Sequence, residues 1–159
     1  MPDIVIDGMV RVGFAPTIAN INAPTTTELN AGILLSPVMT ADGLQGFQAS
    51  TATVDNSSLE SQFDTNTIGR DSFSGTKLRL KKQSGTDTAY TTLTRGTTGY
   101  IVVRRGILAS TAWTSGQAVE VYPITCAQTG HVDYEKNTVQ RYDVGTPITS
   151  SPALRAAIA

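Results

Sequence analysis

Between residues 76 and 83 apolar and polar positions alternate, with Leu78 and Leu80 on one side and Lys77, Arg79 and Lys81 on the other. A period of two marks a strand with one buried face. Tyr100-Ile-Val-Val-Arg-Arg105 is the strongest strand signal, a short β-branched run. Gln117–Thr129 predicts another, with Val119 and Val121 opposing Ala118, Glu120 and Tyr122. Pro123 within it marks an edge or a bulge, because proline brings no donor to a ladder. Thr138–Val144 predicts the last strand, and the polar, β-prone stretch Gly43–Asp55 an early one.

Two short helices interrupt this pattern. In Thr25-Thr-Thr-Glu-Leu-Asn-Ala-Gly32, Thr25 and Glu28 have capping-box spacing and Gly32 suits a left-handed stop. The second is expected within 84–96, with Thr86 or Asp87 as cap, Ala89, Tyr90 and Leu93 turned inward, and Gly96 closing it. Residues 1–24, punctuated by Pro and Asn, read as an extended arm, and 146–159 as a Pro-punctuated tail.

Residues 56–75 are rich in Asn, Ser, Asp, Thr and Gly, and predict a loop long enough to be functional. Leu59, Phe63, Ile68 and Phe73 within it need something to bury against, either a neighbouring subunit or the chain's own sheet. With Arg70 they form the candidate inter-subunit contact. All 159 residues fit one domain, mainly β, a β-sandwich or small barrel with one or two short α-helices and no internal repeat.

Composition strengthens the β reading and bears on function. Only 16% of residues are charged, against roughly 25% in ordinary soluble domains. The polar surface comes instead from 24 Thr, 12 Ser and 14 Gly. Few charges, netting −1, mean little repulsion and little desolvation cost when copies meet. An extracellular β-domain can share this composition. The net charge argues against tight nucleic-acid binding driven by phosphate neutralisation. A lone Cys126 cannot form an internal disulfide. No leader-like segment or membrane-length apolar stretch is present, so folding in a cytoplasm and no membrane association are expected.

No spacing supports catalysis, a cofactor or a metal. Gly69–Lys77 has the wrong spacing for a phosphate loop and runs into a strand. Asp64–Gly69 opens like a calcium loop, but Ile68 stands where an oxygen ligand belongs and Gly75 replaces the closing Glu, so a turn is expected. Cys126 and the single histidine, His131, are too few for zinc, and their odd separation opposes them on one strand. The acidic residues are scattered. Arg104-Arg105 and Lys81-Lys82 alternate sides, so neither doublet makes a basic patch.

The order of patches is informative: Ala23-Pro-Thr-Thr-Thr-Glu-Leu-Asn-Ala-Gly32, a polar strand, a long loop, Thr76–Lys82, Ala89–Arg105, then Gly116-Gln-Ala-Val-Glu-Val-Tyr-Pro123. Over about residues 20–145 this resembles the major tail tube proteins of long-tailed, non-contractile (siphovirus-type) bacteriophages. The resemblance implies a virion structural protein, not an enzyme, assembled in the host cytoplasm. Hexameric rings would stack into a tube in which one sheet of each subunit joins a continuous β-barrel. It implies that 56–75 reaches the next ring, that the termini make further contacts, and that double-stranded DNA passes along the lumen during ejection. Strands near 76–82 and 117–125 are the candidates for the lumenal face. Expected partners are copies of the chain and the tape measure, tail tip and tail terminator proteins. A capsid decoration or head–tail connector protein is the alternative within this class. A monomeric ligand-binding β-sandwich is the alternative outside it, for which a single Trp113 in a Ser/Thr-rich turn offers little.

Overall fold

The computed structural model describes residues 1–159. Eleven strands and two five-residue helices follow one another. They are β1 Val10–Ala15, α1 Thr26–Asn30, β2 Ile33–Leu34, β3 Met39–Gln45, β4 Ser50–Asp55, β5 Asn66–Ser72 and β6 Lys77–Lys81. Next come α2 Thr88–Thr92, β7 Thr98–Arg105, β8 Ala118–Thr125, β9 Thr129–His131, β10 Arg141–Gly145 and β11 Ala153–Ala157.

Strands β11-β8-β7-β1-β2 form a five-stranded sheet and β3-β6-β10-β9 a four-stranded one, and neither closes into a barrel. The two face each other as a β-sandwich. Leu78, Leu80, Tyr142 and Val144 of the smaller sheet meet Val12, Phe14, Ile101, Val103, Tyr122 and Ile124 of the larger. As the alternation of 76–83 predicts, Leu78 and Leu80 are fully buried while Lys77, Arg79 and Lys81 face outward.

The other face of the five-stranded sheet is covered as well. Val102, Val119 and Val121 pack beneath Leu29 of α1, Ile18, Trp113 and Ile158. Cover on both faces explains why β7 reads as a continuous apolar run and not as an alternation. Each fully buried Leu, Ile or Val contributes roughly 1.5–3 kcal/mol.

Both helices are capped as the sequence predicts, with Asp87 as the cap of the second. The Thr25 hydroxyl accepts from Glu28 N and the Glu28 carboxylate from Thr25 N, at 3.2 and 2.9 Å. Asp87 Oδ1 accepts from Tyr90 N at 3.1 Å. Gly32 is not the left-handed stop expected of it, since its φ is not positive. It is required because a Cβ there would run into the Phe14 carbonyl.

Four stretches differ from their sequence reading. Residues 10–15 of the expected arm form β1, inside the five-stranded sheet and in register with β7 from Val10↔Arg105 to Ala15↔Tyr100. Pro16 ends this strand, so punctuation that suggested an arm marks a strand's limit. Within the expected tail, Ala153–Ala157 pairs with β8 at the sheet's edge and buries Ala153 and Ala156. The expected strand over 43–55 is two, β3 and β4, parted around Gly46. The expected strand over 117–129 ends at Thr125, and Thr129 begins β9 in the other sheet. Pro123 lies where β8 faces the C-terminal segment: Thr149 N donates to its carbonyl and Thr125 N to the Pro147 carbonyl.

Candidate assembly surface

Residues 56–75 are not a structureless loop. Their second half forms β5, which pairs with β4 as a separate two-stranded ribbon from Ser50↔Ser72 to Asp55↔Asn66. The ribbon continues the β3–β6 ladder past a bend at Gly46 and Gly75, both at positive φ. Phe47 and Phe73 fix its root by meeting the Tyr122 ring edge-on, with centroids 5.0 and 5.8 Å away. The Tyr122 hydroxyl donates to Glu120 Oε2 at 2.7 Å, and burial followed by this carboxylate pushes its pKa up.

Beyond the root every β4 residue is exposed, and so is every β5 residue except the half-buried Gly69. Leu59, Phe63 and Ile68 are 105%, 80% and 81% exposed, and Arg70 is exposed too. Phe73 differs from the other candidates, because it belongs to the root and packs on the core. The sequence reading did not single out Val54, half-exposed and opposite Thr67 on the ribbon. A lone two-stranded ribbon is marginal in water. Thr51 Oγ1 to Asp71 Oδ1 at 2.6 Å and the Ser58–Ser61 hydroxyl contact at 2.9 Å add only exposed polar bonds.

A second apolar surface lies beside the ribbon's root. Val10, Leu34, Pro37, Met39, Leu44 and Phe47 line an open groove of about 1070 Å³ between β1–β2 and β3. Arg11 also lines it. Its NH1 donates to the Ala109 carbonyl at 2.7 Å, while its Nε is buried without a hydrogen-bond partner. No spacing in the sequence marks this groove, because its wall residues are brought together by the sandwich.

The outer face of the four-stranded sheet is polar and largely charge-compensated. Arg79 grips Asp143 through Nε–Oδ1 at 2.8 Å and NH2–Oδ2 at 3.1 Å, and its NH1 reaches Asp42 at 3.3 Å. Lys77 lies 3.5 Å from Asp143. The Arg79 hydrogen bonds hold the Asp143 carboxyl below the usual carboxylate range, against some burial. Arg104 and Arg105 diverge as their alternation predicts. Arg105 pairs with Glu120 at 3.2 Å, whereas Arg104 is completely buried. Its guanidinium lies 5.3 Å from the Trp113 ring centroid and donates to the Ala112 and Leu108 carbonyls and Gln117 Oε1.

The residues weighed as chemical candidates lie apart from one another. No group of three or more His, Cys, Asp or Glu side chains could hold a metal ion. Asp64–Gly69, expected as a turn, is instead mostly strand, because Asn66–Gly69 belong to β5 and pair with β4. Cys126 is buried just past β8 and its thiol is pushed up to about 11 by burial. His131 is exposed on β9, its ring 6.2 Å from that of Tyr90, and makes no hydrogen bond with Cys126. No helix is long and apolar enough to cross a membrane.

Sandwich, ribbon and groove define a β module with exposed apolar surfaces. The model of a family described as phage tail tube protein matches residues 1–159, and the chain belongs to that family. It is therefore a structural component of a phage tail, not an enzyme. Among solved structures, a chain of the cryo-EM structure of the anti-feeding prophage baseplate, 6-fold symmetrised, shares the fold with a TM-score of 0.60 at 9% identity. The match covers 94% of this chain and 95% of that one. No curated protein matches the sequence.

Proposed function

We propose that this chain is the repeating subunit of a long, non-contractile tail tube, forming six-membered rings that stack around a DNA-conducting lumen. One observation carries the reading. The four-stranded sheet keeps a free polar face and two open edges, β3 and β9, whereas the five-stranded sheet is covered on both faces. Pairing β3 of one copy with β9 of the next satisfies both edges and continues the sheet around a ring. The compensated Lys77, Arg79, Asp42 and Asp143 then face the lumen, a wall that guides DNA without gripping it. Sixfold symmetry, named for the baseplate neighbour, supports six copies per ring.

In this reading the β4–β5 ribbon, with Leu59, Phe63, Ile68 and Arg70, makes the contact between rings. The exposed segment Ile4–Ile6 adds a terminal contact. Tape measure, tail tip and tail terminator proteins are the other partners, met during assembly in the host cytoplasm. Negative-stain microscopy of the purified protein, fresh and after ageing at high concentration, tests the proposal. Hollow tubes with sixfold end views are expected. A persistent monomer beside its tail initiator would overturn the reading, as would isolated trimers on capsids, which belong to a decoration protein.

A further inference from the structure

We infer that the groove between β1–β2 and β3 receives the tip of the β4–β5 ribbon from a second copy of this chain. The inference rests on the tail tube reading and adds where one ring meets the next. Both surfaces lack a partner within one chain, and each presents apolar side chains. Leu59 and Phe63 stand out at the ribbon's tip, while Met39, Leu44 and Leu34 form the groove's walls.

A chain cannot fill its own groove. The ribbon starts at the groove's lip, where Gly46 and Phe47 belong to the lining. Phe47 and Phe73 pin the root against Tyr122. Some ten residues of extended strand separate Phe47 from the tip, a distance of about 30 Å at 3.3 Å per residue. Donor and acceptor thus lie at opposite ends of one projection, a head-to-tail arrangement that propagates along an axis.

Charge selects the same occupant. Residues 50–72 hold Asp55, Glu60, Asp64 and Asp71 against Arg70 alone, a net charge of −3. The rest of the chain, with eleven basic and nine acidic residues, carries +2. Arg105, whose side chain is 42% exposed, lines the groove beside Asp7, and an acidic ribbon brings carboxylates to it. Docking here leaves ring closure free: closure uses the backbone edge of β3, docking the β3 side chains that face between the layers.

The test joins tip to groove chemically. Ser58→Cys at the tip and Ala41→Cys on β3 are both exposed positions, while the native Cys126 is buried. In tubes of the double variant, a short bis-maleimide should give a ladder of covalent oligomers on denaturing gels, and either single variant should give none. Phe63→Asp and Leu34→Asp should each raise the concentration needed for tubes at least tenfold, with circular dichroism unchanged. Double-variant tubes that give no ladder would overturn the groove as acceptor and leave the tube reading intact. Failure of the unmodified protein to form tubes beside its initiator would instead overturn the tube reading.

Discussion

Gly46 approaches Gly75 so closely that a methyl group at Gly46 would lie 2.5 Å from the Gly75 carbonyl oxygen. This contact sets the bend where the sandwich becomes the projecting ribbon. Both residues have positive φ, yet a Cβ on Gly75 would meet nothing within 4 Å. Gly75→Ala should therefore cost only the left-handed backbone penalty, about 1 kcal/mol. Gly46→Ala adds displacement of backbone and should cost about 3 kcal/mol. Urea denaturation of the unassembled protein measures both, and equal losses would refute the assigned contact.

Arg104 is a fully buried cation held by three hydrogen bonds, with its Nε left without a partner. It satisfies two carbonyls of the 106–117 connection and stacks on Trp113, directly across the ladder from Arg11. Burial, and then Arg11, lower its pKa, so the site tolerates two neighbouring cations only through these acceptors and the ring face. Arg104→Ala should cost about 3 kcal/mol and shift Trp113 fluorescence to the red. Arg104→Lys should recover little, because an ammonium cannot span the same fork of acceptors. Full rescue by lysine would show that charge alone matters here.

The features legible in the sequence were the local ones. The Thr25–Glu28 box depends on a three-residue spacing, and the 76–83 alternation reports one buried face directly. β1 shows the same alternation, Val12 and Phe14 against Arg11 and Gly13, but Pro16, Asn20, Asn22 and Pro24 close behind it suggested an arm. β5 lacks any apolar period because both its faces meet solvent, so only pairing with β4 makes it a strand. Leu59, Phe63 and Ile68 stood out as apolar residues in polar surroundings, and the structure leaves all three exposed. The groove and the Arg11–Trp113–Arg104 stack depend on contacts between distant segments, which composition and spacing do not encode.

Asp87 caps α2 while almost wholly buried. Burial raises its pKa, but hydrogen bonds from Gln83 N and Tyr90 N, aided by Lys82 at 3.4 Å, outweigh it and leave the carboxyl below its ordinary value. Asp87→Ala should cost about 2 kcal/mol, and Asp87→Asn, which keeps an acceptor oxygen, about half of that. Thermal melts at neutral pH decide this. The reverse order of the two variants would rule out the cap as the source of the stability.

Asp143 links stability to the proposed lumen. Its folded pKa is depressed, chiefly by the Arg79 hydrogen bonds, so the unfolded chain binds the proton more readily. Its contribution is therefore complete above the ordinary carboxylate pKa of about 4 and is lost as pH falls through the lower folded value. Asp143→Asn should be less stable by about 1 kcal/mol at pH 7 and should converge with the unmodified protein in acid. The same change leaves Lys77 without its acidic neighbour and Arg79 with Asp42 alone. If this face lines the lumen, open-ended tubes of the variant should bind short duplex DNA that unmodified tubes release, with a steeper loss on adding salt. Variant tubes that bind no more DNA than unmodified ones, despite the expected loss of stability, would place the four-stranded sheet away from the lumen.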